Sequence, residues 1–300
     1  LWLFMDNRDK NQEVKIAKAK HPGPTSSQVK GQAPARKITS IPPRQLALGQ
    51  NSLGKPDYDK WQLVGKLIGI EDICIIYSET GIGKSILTFQ IANDIVNGTL
   101  SAIQHDDQGE HIPQSVIFYD TELKENDYDR RYPGYISPEA LQILIDSNFI
   151  SEDDWIKDVE KRIMELDTDT TVVLDNITSA FPPMTAEQMR HFINVKLRLL
   201  QNKARESGFR VTFIIVAHTT KEGILAGSAN FQNFATSIIH FMQGTVDQHR
   251  EIEIDKNRNY GEMKGKHFLL KYSEEGIKHY ELECELPTNP APTTQDPATI

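Results

Sequence analysis

Cysteine is scarce in this chain: Cys74 and Cys284 are the only two in 300 residues. Two cysteines make no disulfide framework, which excludes the small disulfide-stapled secreted classes and fits a reducing, cytoplasmic compartment. Long apolar runs are missing too. None approaches the ~20 residues a membrane helix needs, so no membrane partner is expected. The opening Leu1-Trp2-Leu3-Phe4 is too short, and lacks the basic flank, for a signal peptide; Met5 is the expected start. Positive charge is in deficit, with 33 Lys and Arg against 42 Asp and Glu for a net of −9. The deficit is uneven. Residues 1–55 hold ten basic and three acidic side chains, a net of +7, and the remainder carries −16. A basic arm on an acidic body reads either as a tether for nucleic acid or a partner, or as a solvated tail.

What is present, 38% hydrophobic and 25% charged residues, is the composition of a globular protein. Residues 1–55 contain Pro22, Pro24, Pro34, Pro42 and Pro43, are rich in Lys, Gln and Ser, and show little periodicity, so they read as a disordered arm. Residues 287–300, with Pro290, Pro292 and Pro297, read as a second tail, leaving 56–286 as the folded domain. Within it, strands and helices alternate. Strands are predicted at Ile73–Tyr77, Ser115–Asp120, Thr171–Leu174 and Val211–Ala217, each a continuous apolar run. Helices are predicted at Lys84–Asn97, Pro138–Ile145, Glu152–Leu166 and Ala186–Glu206. Ser151 with Asp154, and Thr185 with Gln188, have capping-box spacing at two of their starts. Apolar strands alternating with helices imply an α/β fold whose mainly parallel, twisted sheet is covered by helices on both faces. Beyond residue 235 four strand-like segments, Ser237–Met242, Glu251–Lys256, His267–Tyr272 and Lys278–Glu283, are expected to extend it as C-terminal antiparallel strands.

The segment Ser78-Glu79-Thr80-Gly81-Ile82-Gly83-Lys84-Ser85 lies between the first strand and the first helix. That is the context of a phosphate-binding P-loop, in which loop N–H groups and the helix N-terminus cradle phosphate oxygens. Glu79, Thr80, Gly81, Ile82, Gly83, Lys84 and Ser85, with Ile86 at the helix start, are the nucleotide-binding candidates. Lys84 supplies a point charge for the β- and γ-phosphates, and the Ser85 hydroxyl is a Mg²⁺ ligand. Ser78 stands where the pattern has its first glycine. Three further strand ends carry chemistry. Val172-Val173-Leu174-Asp175 reads as a Walker B strand, with Asp175 facing the Mg²⁺. Tyr119-Asp120-Thr121-Glu122 offers Glu122 as a base for the attacking water, with Asp120 and Glu125 as alternatives. Ala217-His218-Thr219-Thr220-Lys221 offers His218 as a contact to the γ-phosphate. Asp255-Lys256-Asn257-Arg258 reads as a Lys-x-Arg pair able to reach a neighbouring subunit's phosphates, or as a solvated basic turn.

In order and spacing these motifs, with Ala226-Gly227-Ser228-Ala229, resemble RecA-like P-loop ATPases, and within them the RepA-type hexameric replicative helicases, over about Trp61 to Tyr272. The resemblance implies a RecA-like sheet, a homo-oligomeric ring, and ATP held between subunits. It implies Glu122 as catalytic base, His218 as γ-phosphate sensor and Arg258 or Lys256 as the finger in trans. It also places Phe181-Pro182-Pro183-Met184 and Lys221 to Asn233 on loops facing the ring's pore, toward DNA that is expected to be single-stranded. The expected function is a Mg²⁺-dependent ATPase working as a DNA helicase. The alternatives are an ATP-switched DNA-binding regulator or scaffold without unwinding, and a RecA-type recombination ATPase.

Overall fold

A computed structural model of the chain describes residues 62–98, 114–219 apart from positions 134, 146 and 148, then 225, 231, 233–274 and 278–287. The expected arm and tail, and nearly all of the segment 221–233, lie outside the described residues. A short antiparallel ribbon, β1 (Gln62–Val64) and β2 (Ile68–Gly69), leads into β3 (Ile73–Ser78), every residue of which is buried. Next come α1 (Lys84–Asn97), β4 (Ser115–Asp120), α2 (Glu125–Arg131), β5 (Leu141–Leu144), α3 (Glu152–Leu166), β6 (Thr170–Asp175) and α4 (Ile177–Ala180). A continuous helix follows, made of α5 (Ala186–His191), a π-helical stretch (Phe192–Leu197) and α6 (Arg198–Ser207). The chain ends in β7 (Val211–His218), β8 (Ser237–Gln243), β9 (His249–Asn257), β10 (His267–Ser273) and β11 (His279–Leu286).

Nine strands form one sheet in the order β11-β10-β9-β8-β3-β7-β6-β4-β5. The six from β8 to β5 are mutually parallel, and β9, β10 and β11 add to the β8 side in antiparallel fashion. Alternation along each strand sorts its side chains between two apolar layers. On β3, Cys74 and Ile76 join the layer under α1, whereas Ile73, Ile75 and Tyr77 join the layer under α3 and α6. In α3, Trp155, Val159 and Ile163 repeat every four residues and are fully buried in that second layer. Each such side chain contributes on the order of 1.5–3 kcal/mol through burial. No helix among the described residues is long and apolar enough to cross a membrane.

Several predicted elements differ from what forms. Pro138–Ile145 is not a helix: Leu141–Leu144 is the edge strand β5, paired in parallel with Val116–Tyr119 of β4. Eight residues are too few for a stable uncapped helix, and the free edge of β4 satisfies its ladder by taking up this run. Ser237–Met242 belongs to β8, which runs parallel to β3, with Ser237 beside Cys74 and His240 beside Tyr77. The antiparallel extension therefore starts one strand later, at β9. The predicted helix Ala186–Glu206 is continuous but π-helical in its middle, where Phe192, Ile193 and Leu197 are all buried. Thr185 and Gln188 form a reciprocal capping box. At Ser151 the hydroxyl accepts the Asp154 N–H, but the Asp154 carboxylate turns to the Ser151 hydroxyl. Asp is one methylene shorter than the Glu or Gln that closes such a box.

Asp72, just before β3, ties the ribbon to the far end of β9. Its carboxylate accepts Gly69 N–H at 2.7 Å and Asn259 Nδ2–H at 2.7 Å, and the residue is 2% exposed. Burial outweighs these donors and pushes its pKa up to about 6. The unfolded carboxyl titrates near ~3.9, so the folded state holds the proton more tightly. The stability this contributes is full below about pH 4 and is lost as pH rises to about 6. Measured by denaturant unfolding, the stability of the wild type relative to Asp72→Asn is expected to fall across that window and to level off above it. A difference constant from pH 4 to 7 would contradict this assignment.

Candidate functional site

Four parallel strands end side by side at one edge of the sheet, in the order β4, β6, β7, β3. Their last residues bring Asp120, Asp175, His218 and Ser78 to that edge. From β3 the chain turns through residues 79–83 into α1. Gly81 (φ +83°) and Gly83 (φ +107°) take left-handed conformations there. At Gly83 space is limiting as well, since a Cβ would meet the Tyr280 hydroxyl at 2.1 Å. The loop is braced from the antiparallel side of the sheet. Arg250 Nε of β9 donates to the Ile82 carbonyl at 2.8 Å, and the Tyr280 hydroxyl of β11 donates to the same oxygen at 3.4 Å. Gln90 of α1 then bonds both the N–H and the carbonyl of Tyr280, each at 2.8 Å.

Lys84 is 6% exposed. Its ammonium donates to the Glu79 carbonyl (2.7 Å), the Ser78 hydroxyl (3.1 Å) and the Ser78 carbonyl (3.2 Å), and lies 3.2 Å from His218 Nδ1. Burial lowers its pKa, a shift that the charges of Asp175 and Glu122 oppose. Asp175 is 3% exposed and accepts a bond from Thr88 of α1 (3.3 Å), with the Ser85 side chain also hydrogen-bonded to it. Burial first, then the charge of Asp120, push its carboxyl up to about 7. A carboxylate and a hydroxyl paired beside a phosphate loop are hard oxygen ligands of the kind Mg²⁺ takes, and a cation there would relieve the crowding of acids.

Glu122 Oε1 accepts from Asn176 Nδ2 (2.7 Å) and the Ser179 hydroxyl (2.9 Å), and lies 3.7 Å from His218 Nε2. Burial alone would raise this carboxyl. The donors Asn176 and Ser179 and the nearby His218 outweigh it and hold Glu122 below its usual range, so it is ionised and able to accept a proton. Asp120 is otherwise engaged: its Oδ1 accepts the N–H groups of Glu122 (3.0 Å) and Leu123 (2.7 Å), shaping the turn that presents Glu122. The side chain of Glu125 lies outside the described residues. His218 Nε2 is 3.1 Å from Asn176 Nδ2, and Nδ1 is 3.4 Å from the Thr80 hydroxyl. Burial and the charge of Lys84 keep its pKa below the ordinary imidazole value.

Lys84, Ser85, Glu122, Asp175 and His218 are thus brought together, with Glu79, Thr80, Gly81, Ile82, Gly83 and Ile86 forming the loop and helix start beside them. Lys256 and Arg258 are not part of this cluster. Asn257 pairs with Ser237, which pairs with Cys74, so they lie toward the opposite end of β3 from the P-loop. The Arg258 N–H donates to the Thr236 carbonyl at 2.9 Å and its guanidinium to the Asn233 carbonyl. Burial and the charge of Arg258 push Lys256 down to about 8. Sequence reading passed over Arg250, Gln90 and Tyr280, whose roles depend on strands far apart in the chain. It also gave Asn176 no role, although an Asn directly after a Walker B carboxylate and one residue before a helix is a cap signal.

Comparison with known proteins places this geometry. The chain is 24% identical over 188 residues to the DNA repair protein RadA of Halalkalibacterium halodurans, covering 62% of this chain and 36% of that protein. It is 23% identical over 197 residues to the DNA repair protein RadA of Chlamydia muridarum, covering 64% and 39%. The chain therefore spans little more than a third of the length of these relatives. Its fold is similar to that of a solved helicase ATPase domain, with a TM-score of 0.53 and 12% identity over 75% of this chain and 93% of that one. The AAA domain family matches residues 42–223, more than half of the chain. With a P-loop between β3 and α1 and the RecA-like sheet around it, the chain belongs to this family and is a RecA-like P-loop ATPase.

Proposed function

We propose that the protein is a Mg²⁺-dependent ATP hydrolase of the RepA-like replicative helicase type, coupling hydrolysis to movement along single-stranded DNA as a homo-oligomeric ring. The observation that carries this reading is the meeting of Lys84, Asp175, Glu122 and His218 at the ends of four adjacent parallel strands. In it, the loop N–H groups and Lys84 hold the phosphates, and Ser85 and Asp175 hold the metal. Mg²⁺, when bound, supplies charge neutralisation at the β- and γ-phosphates. Glu122 takes the proton of the attacking water, and His218 contacts the γ-phosphate. Lys256 and Arg258, lying away from their own P-loop, serve a neighbour's. The basic arm, residues 1–55, adds phosphate contacts to the acidic ATPase domain, residues 56–286.

The two RadA relatives, named as DNA repair proteins, favour a second reading: a RecA-type ATPase acting in DNA repair. One experiment tests the first and separates it from the second. ATP turnover and particle mass are measured with and without single-stranded DNA, followed by strand-displacement and strand-exchange assays. A helicase is expected to turn over ATP severalfold faster on DNA, as an oligomer, and to displace a strand. DNA-stimulated turnover with strand exchange and no displacement supports the repair reading, and turnover indifferent to DNA argues against both.

A further inference from the structure

We infer that Asn176 fixes the proton of His218 on Nδ1, so that a neutral histidine presents a hydrogen-bond donor toward the phosphate loop. The functional meaning of this inference rests on the reading of His218 as a nucleotide-facing group; the position of the proton does not.

The argument begins at the cap of α4. Asn176 is 1% exposed, and its Oδ1 accepts the Ser179 N–H at 3.0 Å. That bond fixes which way the amide faces. Its NH₂ group then has two hydrogens and two neighbours: Glu122 Oε1 at 2.7 Å and His218 Nε2 at 3.1 Å. Flipping the amide would set its oxygen against the Glu122 carboxylate and strip the cap, so the NH₂ stays where it is. Nε2 is therefore an acceptor. Direct donation from Nε2–H to Glu122 does not compete, because that separation is 3.7 Å. A neutral imidazole carries one N–H, and which nitrogen bears it is set by the bond the other makes. The proton accordingly sits on Nδ1.

Lys84 lies 3.2 Å from Nδ1 and would claim it as an acceptor if it needed one. It does not. An ammonium has three hydrogens, and three oxygens are in reach: the Glu79 carbonyl, the Ser78 carbonyl and the Ser78 hydroxyl. The serine that replaces the first P-loop glycine thus supplies the acceptor that releases Nδ1. The Nδ1–H is left facing the Thr80 hydroxyl at 3.4 Å and the ammonium, two donors around a space that a phosphate oxygen would satisfy. A doubly protonated ring would instead set Nε2–H against the Asn176 NH₂. Burial and the neighbouring ammonium already disfavour that form.

The test reads tautomers. The full-length protein is labelled with ¹⁵N in its histidine rings and examined without nucleotide, with the His218 signals assigned by their loss in His218→Gln. In the wild type a protonated Nδ1 and an unprotonated Nε2 are expected. Asn176→Asp keeps an oxygen for the Ser179 N–H but offers Nε2 an acceptor, so the two nitrogen shifts should exchange. Asn176→Ser keeps the cap without reaching His218 and should give a mixture of tautomers. It serves as a second variant if the aspartate, placed beside Glu122, impairs folding. A proton on Nε2 in the wild type overturns the inference, as does an unchanged tautomer in a folded variant of either kind. If the tautomer is as expected but the wild type binds no adenine nucleotide, the functional reading fails and the inference about Asn176 stands.

Discussion

Lys84→Ala is expected to reduce ATP turnover by roughly 10²–10³-fold, the scale of losing one preorganised charge from a transition state. The ammonium is buried beside the loop and already turned toward its carbonyls, so little reorganisation precedes its action on a phosphate. Alanine removes that charge and also three bonds that hold the loop to the end of β3. Nucleotide affinity should therefore fall as well, which distinguishes this residue from a group acting on the chemical step alone. Thermal unfolding of the variant, run beside the kinetics, separates a loosened loop from a collapsed domain. Wild-type turnover in folded Lys84→Ala protein would remove the site from this loop altogether.

Glu122→Gln should divide binding from chemistry. The variant keeps an Oε1 able to accept from both Asn176 and Ser179, so the local hydrogen bonds survive. What it loses is a carboxylate that its neighbours hold ionised. Hydrolysis is expected to drop by roughly 10²-fold or more, as for a lost general base, while nucleotide binding persists. Equilibrium binding of a fluorescent ATP analogue and single-turnover hydrolysis measure the two separately. Hydrolysis near the wild-type rate would move the base elsewhere. Asp120 is poorly suited to take over, because its Oδ1 is occupied by two main-chain N–H groups and its carboxyl is buried.

The parallel core was readable from the sequence because strands buried on both faces appear as unbroken apolar runs, as at Ile73–Tyr77 and Val211–Ala217. The P-loop was readable because its work is done by neighbours in sequence. Where reading failed, the missing information was not local. Leu-Gln-Ile-Leu at 141–144 can be a turn of helix or a strand, and only the open edge of β4 decides. The direction of β8 is absent from its own residues and depends on how the chain returns across β3. In the candidate site, Asn176 meets His218 across 42 positions and Arg250 meets Ile82 across 168. No periodicity or motif joins partners so distant; each is set by which strands the sheet places side by side.

The bracing of Ile82 and Gly83 by Arg250 and Tyr280 bears on the order in which the protein becomes competent during synthesis. The P-loop leaves the ribosome early, but the hydroxyl that closes over it belongs to a residue 198 positions later. Until β11 has emerged and Gln90 has captured both main-chain groups of Tyr280, the loop lacks its outer wall. A nascent chain of intermediate length carries the whole phosphate-binding sequence without the fixed loop. Adenine nucleotide can then act as a late ligand of the finished domain and not as a template for its early strands. Truncation within β11 would leave every motif residue in place and still undo the site.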